Sequence, residues 1–427
     1  MKNKVLTTVL LILAPFVLTA CTLLQDLPVI GSLFKPKEPE QVTLTMWGLW
    51  ENPEVMDKLI AKYQEQKPNV TISYDDRSVL SLSDYRDAVF TRADQEDAPD
   101  IVRVHNSWIT RMPGKLAPVP SDIFSAESYS QSFYPVATEE AAIDGEIYGV
   151  PLHYDGLVMV YNIDHFNEID QASPPTAWEE FRRVAAALRK EVDGQFVRAG
   201  AAVGAADNID FFGDILGLMF VQAGITSVHD FDSVPAQHAL LYYVNFMRED
   251  QLWHESFPEA TTAFAQEQVS IIFIPTWNLL DIIKARPDLN IGVAPVPQAE
   301  PNKPKAWATF WMEAVPIGSK NQKAAWDFLA FLAQEEQQLM LFNEASNYRE
   351  YGAPYSLVSL RSQLVGNDYI RPLLDTADFA SSNVIACRSG NVVHIEALKK
   401  AVNRALRSNA SAEQALKEAK DAILVAP

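Results

Sequence analysis

Cysteine is scarce in this chain, which has only Cys21 and Cys387 among 427 residues. A small scaffold held together by several disulfides is therefore excluded, and the folded part must be stabilised by its hydrophobic core. With 48% hydrophobic residues the chain can bury such a core, and its length indicates two domains or more. We expect Cys387 to be a small buried residue and not a nucleophile.

Basic residues are outnumbered: 35 Lys and Arg stand against 55 Asp and Glu, which gives a formal net charge of -20. This charge opposes any general affinity for phosphate backbones, so nucleic acid is not expected as a partner. The acidity does not identify a ligand, because an acidic surface is also an ordinary means of keeping a protein soluble.

Sequence motifs for metal and nucleotide chemistry are missing as well. The seven histidines form no His-Glu-x-x-His pair and no cluster with cysteine at ligand spacing; they lie at positions 105, 153, 165, 229, 238, 254 and 394. No Walker loop is present, so any ATP hydrolysis would belong to a partner protein. We therefore predict no metal and no other cofactor.

The first 20 residues have the pattern of a secretion signal. Lys2 and Lys4 precede an apolar run over residues 5–18, which is shorter than the roughly 20 residues of a membrane-spanning helix and contains Pro15. Residues 18–21 read Leu-Thr-Ala-Cys and resemble a bacterial lipobox, whose cysteine is lipidated. We expect export and a lipid anchor on Cys21, with a free thiol or a retained transmembrane anchor as the alternatives. Residues 21–41, rich in proline and charge, would be a tether.

Strand and helix signals alternate from residue 42 onward. Val42, Leu44 and Met46 alternate with polar residues, Asn52 is predicted to cap a helix with Pro53 at its first position, and residues 70–74 alternate again. Residues 99–104 read as a third strand after another helix, so the pattern is β-α-β with parallel pairing. In such sheets ligands collect beyond the carboxyl ends of the strands.

Later segments continue the α/β pattern. A strand is predicted over residues 157–161, a capping box at Thr176 and Glu179 is expected to open a helix, and residues 269–274 read as a buried strand. Residues 321–343 are predicted to form one long helix, and Ser411 opens the last one.

Several short segments then occur in a recognisable order: residues 46–48 (Met-Trp-Gly), 99–102 (Pro-Asp-Ile-Val), 148–151 (Tyr-Gly-Val-Pro), 160–164 (Val-Tyr-Asn-Ile-Asp), 177–181 (Ala-Trp-Glu-Glu-Phe) and 292–297 (Gly-Val-Ala-Pro-Val-Pro). Together they resemble the family 1 extracellular solute-binding proteins of ABC importers, the group that includes maltose- and multiple-sugar-binding proteins. Residues 264–271 depart from the family pattern, since Gln268, Val269 and Ser270 replace the usual residues there.

The resemblance implies an α/β fold of two doubly wound α/β lobes, joined by a hinge of crossing segments as in type II periplasmic binding proteins. One lobe would take residues 42–152 and 306–343, and the other residues 153–304 and 344–427. The function implied is that of a monomeric binding lipoprotein at the membrane, facing the periplasm or cell exterior. It would close on a mono- or oligosaccharide and deliver it to the permease subunits of an ABC importer.

A sugar site needs aromatic faces for C–H groups together with donors and acceptors for hydroxyls. The stacking candidates are Trp47, Trp50, Trp108, Phe211, Phe212, Trp277 and Trp311. The polar candidates are Glu51, Asp76, Arg77, His105, Asn106, His153, Asp155, Asn278 and Glu313. Trp277 leads because the family places a stacking aromatic there. We expect one of Trp47 and Trp50 to pack and the other to face the cleft, and Trp311 to narrow it. A place in the core is the alternative for each aromatic.

Three other functions compete with carbohydrate binding. A glycoside hydrolase would use two carboxylates, for which Glu313 and Asp155 are candidates, although we expect no enzyme. A binding protein for a polyamine or another non-sugar solute would also use Trp beside Asp and Glu. A purely structural lipoprotein would need no ligand.

Overall fold

The segment Val42–Gly48, in which apolar and polar residues alternate, forms the first strand, and a capped helix follows it. Leu44 and Met46 are fully buried on this strand. Asn52 accepts the Glu54 N–H at 2.9 Å and caps the helix, whose first residue is Pro53. Proline is tolerated there because the first N–H groups of a helix have no partner within the helix. The capping predicted from the sequence is thus confirmed.

The computed structural model describes residues 40–407 and 410–426. The predicted secretion signal, Cys21 and most of the tether lie outside these residues. Among the residues described, no helix is both long and apolar enough to cross a membrane.

Fourteen strands are present in the described ranges. In chain order they are β1 (Val42–Gly48), β2 (Val70–Asp76), β3 (Ile101–His105), β4 (Ala142–Ile143), β5 (Glu146–Ile147), β6 (Val150–Pro151), β7 (Leu157–Asn162), β8 (Lys190–Val192), β9 (Gln195–Ala201), β10 (Val269–Pro275), β11 (Ile291–Ala294), β12 (Ala306–Trp307), β13 (Trp311–Ala314) and β14 (Ala380–Ser381).

The α-helices of the same ranges surround the strands. They are α1 (Pro53–Gln66), α2 (Leu82–Arg92), α3 (Ala126–Ser132), α4 (Pro135–Ala141), α5 (Ile163–Asn167), α6 (Trp178–Leu188), α7 (Phe212–Gln222), α8 (Val234–Arg248), α9 (Ala260–Ala265), α10 (Thr276–Ala285), α11 (Gln322–Leu332), α12 (Glu335–Ala345), α13 (Arg361–Leu364), α14 (Arg371–Leu374), α15 (Val392–Leu406) and α16 (Ala412–Val425). A 3-10 helix, Asn106–Arg111, directly follows β3.

Two five-stranded sheets carry the core. The first has the order β2-β1-β3-β13-β6, with β1 parallel to β3 and the returning strand β13 antiparallel to β3. The second has the order β11-β7-β10-β9-β8, with β10 parallel to β9 and antiparallel to β7. Both sheets belong to one compact unit that begins at Thr43. The lobe boundaries expected from the sequence remain a prediction.

Central strands are buried on both faces, which explains why they read as apolar runs. All seven residues of β10 are buried. Such runs are typical of central strands in α/β proteins. At the junction of β12 with α7, the Trp307 Nε1–H donates to Asp214 Oδ1 at 2.8 Å, and a Cβ added to Gly217 would meet the Trp307 ring at 2.4 Å.

Two local predictions are wrong. Thr176 does not cap α6: the helix begins at Trp178 after Ala177, and the Thr176 N–H instead donates to Glu180 Oε2 at 3.2 Å. The helix predicted over residues 321–343 is two helices, α11 and α12. The chain turns at Gln334, whose extended backbone cannot continue a helix, although the residues on both sides favour one.

Candidate ligand-binding site

A cleft of about 840 Å³ lies where the ends of the two sheets meet loops from the C-terminal third of the chain. The first sheet and its loops contribute Trp50, Glu51, Arg103 and Trp311 to the lining. The second sheet contributes Asp155, and the helix that follows it contributes one face, on which Trp277, Leu280, Asp281 and Lys284 recur at helical spacing. A volume of this size is typical of small-molecule sites.

A buried ion-pair network forms one wall of the cleft. Arg103 on β3 and Glu313 on β13 are direct partners in the antiparallel register. The Arg103 Nε–H donates to Glu313 Oε1 at 2.8 Å, and Nη2 lies 2.7 Å from the same oxygen. Nη1 donates to the Leu49 carbonyl at 2.7 Å and to Glu51 Oε1 at 3.4 Å. A guanidinium held by so many acceptors fixes the loop that carries Glu51.

Glu51 is ionised within this wall. Burial acts to raise its pKa, but His153, Arg103 and Arg349 outweigh burial and hold the pKa well below its usual range. His153 Nε2 lies 2.8 Å from Glu51 Oε1 and makes no directed hydrogen bond within the described residues. The carboxylate therefore faces the cations Arg103 and Arg349 and the imidazole of His153.

Asp155 holds the N-terminus of α10. Its Oδ1 accepts from the N–H groups of Gly156 and Thr276 at 2.7 and 2.9 Å and from the Thr276 hydroxyl at 3.0 Å. Its Oδ2 accepts from the Trp277 N–H at 3.1 Å. Burial raises the pKa of Asp155 to about 6, against the opposing effect of these hydrogen bonds. The carboxylate thus fixes the first turn of the helix that presents Trp277.

Two tryptophans expose their rings at the cleft, one from each side. Trp277 is 36% exposed, and the buried ring of Phe211 meets it edge-on with centroids 5.8 Å apart. Trp50 is 50% exposed and meets Trp311 edge-on at 5.1 Å. An exposed Trp leaves a large apolar surface in water, so a pair of them at one cleft indicates a ligand with apolar faces.

The backbone of Trp50 is strained. Its φ is +60°, in the left-handed region, where a bulky side chain is unusual. Among the residues that the structure describes, the other non-glycine residues with positive φ are Asp, Gln and Glu, and none is aromatic. The Trp50 N–H donates to the Ser78 hydroxyl at 2.6 Å, which helps to hold the loop in this conformation. Strain of this kind, about 1 to 3 kcal/mol, is often found at functional sites.

Six of the predicted site residues line the cleft: Trp50, Glu51, His153, Asp155, Trp277 and Trp311. Their contact with a ligand remains a prediction. Of the two tryptophans near the end of β1, Trp50 is the one at the cleft. Trp47 is buried, with the Arg77 guanidinium 4.2 Å from its ring centroid.

Other predicted residues lie outside the lining and serve the fold in this structure. Arg77 pairs with Asp75 at 2.6 Å, and Asp76 accepts from the Ser78 N–H at 3.0 Å. Asp76 is the last residue of β2 and Arg77 follows it; β2 is an edge strand, and its end lies outside the cleft lining. Their side chains fix the turn after the strand.

The residues at the end of β3 and just after it lie behind the cleft lining and support it. His105 Nε2 lies 3.0 Å from the Thr309 hydroxyl, and burial lowers the pKa of His105 to about 3, so the ring is neutral. Asn106 Oδ1 accepts from the Phe310 N–H at 3.1 Å. Thr309 and Phe310 themselves line the cleft. The Trp108 Nε1–H donates to the Ser389 carbonyl at 2.7 Å, and its side chain is fully buried.

The last four predicted residues are also buried behind the lining. Phe211 lies beneath Trp277, and Phe212 is buried at the start of α7. Asn278 Oδ1 accepts from the Thr261 hydroxyl at 3.1 Å. Glu313 is the partner of Arg103 in the wall. The pair of carboxylates considered for a glycosidase, Glu313 and Asp155, is therefore engaged in an ion pair and a helix cap.

Sequence reasoning missed the cations of the cleft. Arg349, Arg388 and Lys284 all line it. The two arginines lie in C-terminal segments with little regular structure, where no strand end pointed to them. Lys284 shares the face of α10 with Trp277, seven residues earlier, and that helical spacing was a usable signal.

Metal binding finds no support in the part of the chain that is described. No group of three or more His, Cys, Asp or Glu side chains there is arranged to hold a metal ion.

Two sheets that meet at a cleft with exposed aromatic rings define a ligand-binding protein with the type II periplasmic-binding-protein architecture. The chain belongs to the family of bacterial extracellular solute-binding proteins, which it matches over residues 49–339. The predicted family and the two-lobed α/β fold are thereby confirmed. The protein is an exported binding protein and not an enzyme.

Solved structures with this fold share little sequence with the chain. A cyclic α-maltosyl-1,6-maltose-binding protein from Arthrobacter globiformis has a TM-score of 0.71 and 19% identity, covering 89% of this chain and 97% of that one. An ABC transporter solute-binding protein from Thermotoga lettingae, bound with α-D-tagatose, has a TM-score of 0.66 and 19% identity, covering 89% and 98%. A Brucella abortus protein named as a binding protein is 19% identical over 284 residues, which are 64% of this chain and 67% of that protein.

Proposed function

We propose that the protein captures a carbohydrate in the cleft and delivers it to an ABC importer. The observation that carries this proposal is the pair of exposed tryptophans, Trp50 and Trp277, which belong to different sides of the cleft. Each ring offers a flat face for the C–H groups of a sugar. The lining also includes the hydroxyl of Thr309, the imidazole of His153 and the guanidinium of Arg349, which match the hydroxyl groups of a sugar.

The ligands of the structural relatives support the same class. The Thermotoga lettingae protein holds a monosaccharide, and the Arthrobacter globiformis protein binds a cyclic oligosaccharide. A ligand held by both sides would favour the closed state, because only that state offers all its contacts at once. Importer subunits would then recognise the closed form. We place the hinge between lobes of residues 42–152 plus 306–343 and 153–304 plus 344–427.

The charges of the cleft favour a sugar over a polyamine. A polyamine site needs carboxylates that are free to pair with ammonium groups. Here Glu51 already faces Arg103 and His153, and Asp155 caps a helix, so Asp281 and Glu350 are the acids of the lining that remain for an ammonium group. Arg349, Arg388 and Lys284 would in addition repel a polycation.

A lipid anchor on Cys21 would keep the protein at the membrane that contains the importer. The support for it is the lipobox pattern and the membership of an exported family. In cells that express the Cys21→Ser protein, we expect it in the soluble exported fraction, whereas the unchanged protein stays with the membranes. Equal membrane association of both would contradict the anchor.

Thermal unfolding with a panel of sugars and polyamines tests the ligand class. A ligand that binds only the folded state raises the melting temperature by mass action. We expect at least one sugar to do so, and Trp277→Ala to abolish the shift. Tyr242→Ala, which removes a part-exposed aromatic ring on α8 outside the cleft, is the matched control and should keep the shift. Stabilisation by polyamines alone, or by no solute, would contradict the proposal.

A further inference from the structure

We propose that the carbohydrate is anionic, and that Arg349 and Arg388 bind its carboxylate or phosphate group. This inference rests on the proposed function and names the class of sugar. Sugar acids and sugar phosphates share the chemistry at issue, an oxyanion on a polyhydroxylated ring. A guanidinium recognises such a group through two parallel N–H donors.

The cleft lining carries as many cations as acids, four of each, although acids outnumber cations in the chain as a whole. The chain has 55 acidic and 35 basic residues, so an unselected patch of its surface would be acidic. Of the cleft acids, Glu51 and Asp155 are engaged within the protein, which leaves Asp281 and Glu350 at exposed positions. Of the cations, only Arg103 is engaged in ion pairs. Arg349, Arg388 and Lys284 remain, which is more cations than acids.

Arg349 has hydrogen-bonding capacity that the fold does not use. It lines the cleft and makes no ion pair or hydrogen bond with any residue of the described ranges, although its charge acts on Glu51 from a distance. Its Nε is shielded from water and has no acceptor. Most buried donors in folded proteins are paired, so an unpaired guanidinium at a cleft indicates an acceptor that comes from a ligand.

Hydrogen bonds hold the backbone on both sides of Arg388. The N–H of the preceding residue, Cys387, donates to Asp214 Oδ2 at 3.0 Å, and the carbonyl of the following residue, Ser389, accepts from Trp108 Nε1 at 2.7 Å. The side chain itself is exposed, makes no ion pair within the described chain, and lies over the Phe211 ring at 5.8 Å. Its backbone is thus held on both sides while its charge is left free at the cleft.

The positions of the two arginines fit one ligand that also stacks on tryptophan. Phe211 contacts both Arg388 and Trp277, so Arg388 belongs to the Trp277 side of the cleft. Arg349 is near enough to Glu51, which follows Trp50 in the chain, for its charge to lower the pKa of that carboxyl, and it lines the same cleft. An anionic sugar stacked on a tryptophan ring would therefore find both cations in the lining of its site.

Matched neutral and anionic sugars test the inference by isothermal titration calorimetry on the purified protein. The pairs are glucose with glucuronate, galactose with galacturonate, their disaccharide counterparts, and glucose with glucose 6-phosphate. We expect one anionic member to bind at least about tenfold more tightly than its neutral partner at low salt, with a preference that falls as salt is added. The sugar acids and the phosphates then distinguish the two kinds of oxyanion.

Variants assign that preference to the arginines. Arg388→Gln and Arg349→Gln should each lower the anionic-to-neutral affinity ratio about tenfold or more, and Arg388→Lys should restore part of it because it keeps the charge without the two-pronged geometry. Arg183→Gln removes the same charge from an exposed position on α6 and should leave the ratio unchanged. Circular dichroism checks that each variant folds.

The outcomes separate the inference from the proposed function. Neutral sugars that bind as tightly as their anionic partners, or tighter, would overturn the inference and leave the proposed function standing. An anionic preference that survives both Gln substitutions would overturn the assignment to Arg349 and Arg388. If no sugar of either kind binds while another solute does, both fail.

Discussion

Removing the Arg103 guanidinium should destabilise the protein strongly at neutral pH and much less in acid. The guanidinium is 3% exposed and lies between Glu313, which is 1% exposed, and Glu51. Arg103→Met would leave both carboxylates buried without their shared cation. Breaking a buried ion pair from one side costs about 3 to 5 kcal/mol. We therefore expect the free energy of unfolding at pH 7 to fall by about that amount, as measured by urea denaturation.

The pH dependence carries the sharper part of this prediction. In the unchanged protein the pKa of Glu51 lies below its ordinary value of 4.5, so its contribution to stability is present above about pH 4.5 and is lost as the pH falls through the lower, folded value. Without Arg103, burial acts on Glu51 with less opposition and its folded pKa rises. As the pH falls from 7 to about 5, Glu51 of the variant takes up a proton, and the cost of burying its unpaired charge disappears. The difference in unfolding free energy between the two proteins should therefore become smaller.

A double variant provides the control for this experiment. Arg103→Met combined with Glu313→Gln removes one of the two uncompensated carboxylates, so it should be more stable at pH 7 than Arg103→Met alone. If Arg103→Met changes the unfolding free energy by less than about 1 kcal/mol, or by the same amount at pH 5 and pH 7, the network does not stabilise this wall as we describe.

Three further predictions concern the cleft and its support. Trp50→Gly removes the left-handed strain, so the melting temperature should stay or rise while calorimetry shows sugar affinity falling at least about tenfold; a loss of stability without a loss of affinity would contradict this. Asp155→Ala removes the cap of α10 and should lower the unfolding free energy by about 1 to 2 kcal/mol. It should also weaken sugar binding, because Asp155 positions Trp277. Unchanged sugar affinity in this variant would contradict that role of Asp155. Gly217→Ala would force Trp307 to move and should lower the unfolding free energy, measured by urea denaturation, by about 1 to 3 kcal/mol. Gly366→Ala is the control and should have a negligible effect, because its Cβ would meet nothing within 4 Å.

The parts of the fold that follow from local rules could be read from the sequence. The cap at Asn52 is set by the identities of the next few residues, and β10 is a buried strand because its seven residues form an apolar run. Thr176 shows the limit of such rules: its sequence satisfies a capping box, but the chain enters α6 two residues later. The division of residues 321–343 into two helices is decided by the backbone turn at Gln334, which composition does not reveal.

The candidate site was predictable where strands end in the sheet interior. Trp50 and Glu51 follow the interior strand β1, and Asp155 lies just before the interior strand β7; the cleft lies at those strand ends. Asp76 and Arg77 lie at the end of an edge strand, and the sequence alone does not distinguish an edge from a centre.

The cations of the C-terminal segments were beyond local rules altogether. Arg349 and Arg388 reach the cleft through tertiary contacts such as that of Trp108 with Ser389, which joins residues 281 positions apart. No spacing rule relates such residues.

The most direct test of the central claim is the crystal structure of the protein with the sugar that stabilises it most. We expect the sugar in the cleft, with one ring face against Trp277, Trp50 in contact from the other side, and its oxyanion within hydrogen-bonding distance of Arg349 or Arg388. A ligand bound elsewhere, or one in the cleft that touches neither tryptophan, would contradict the account.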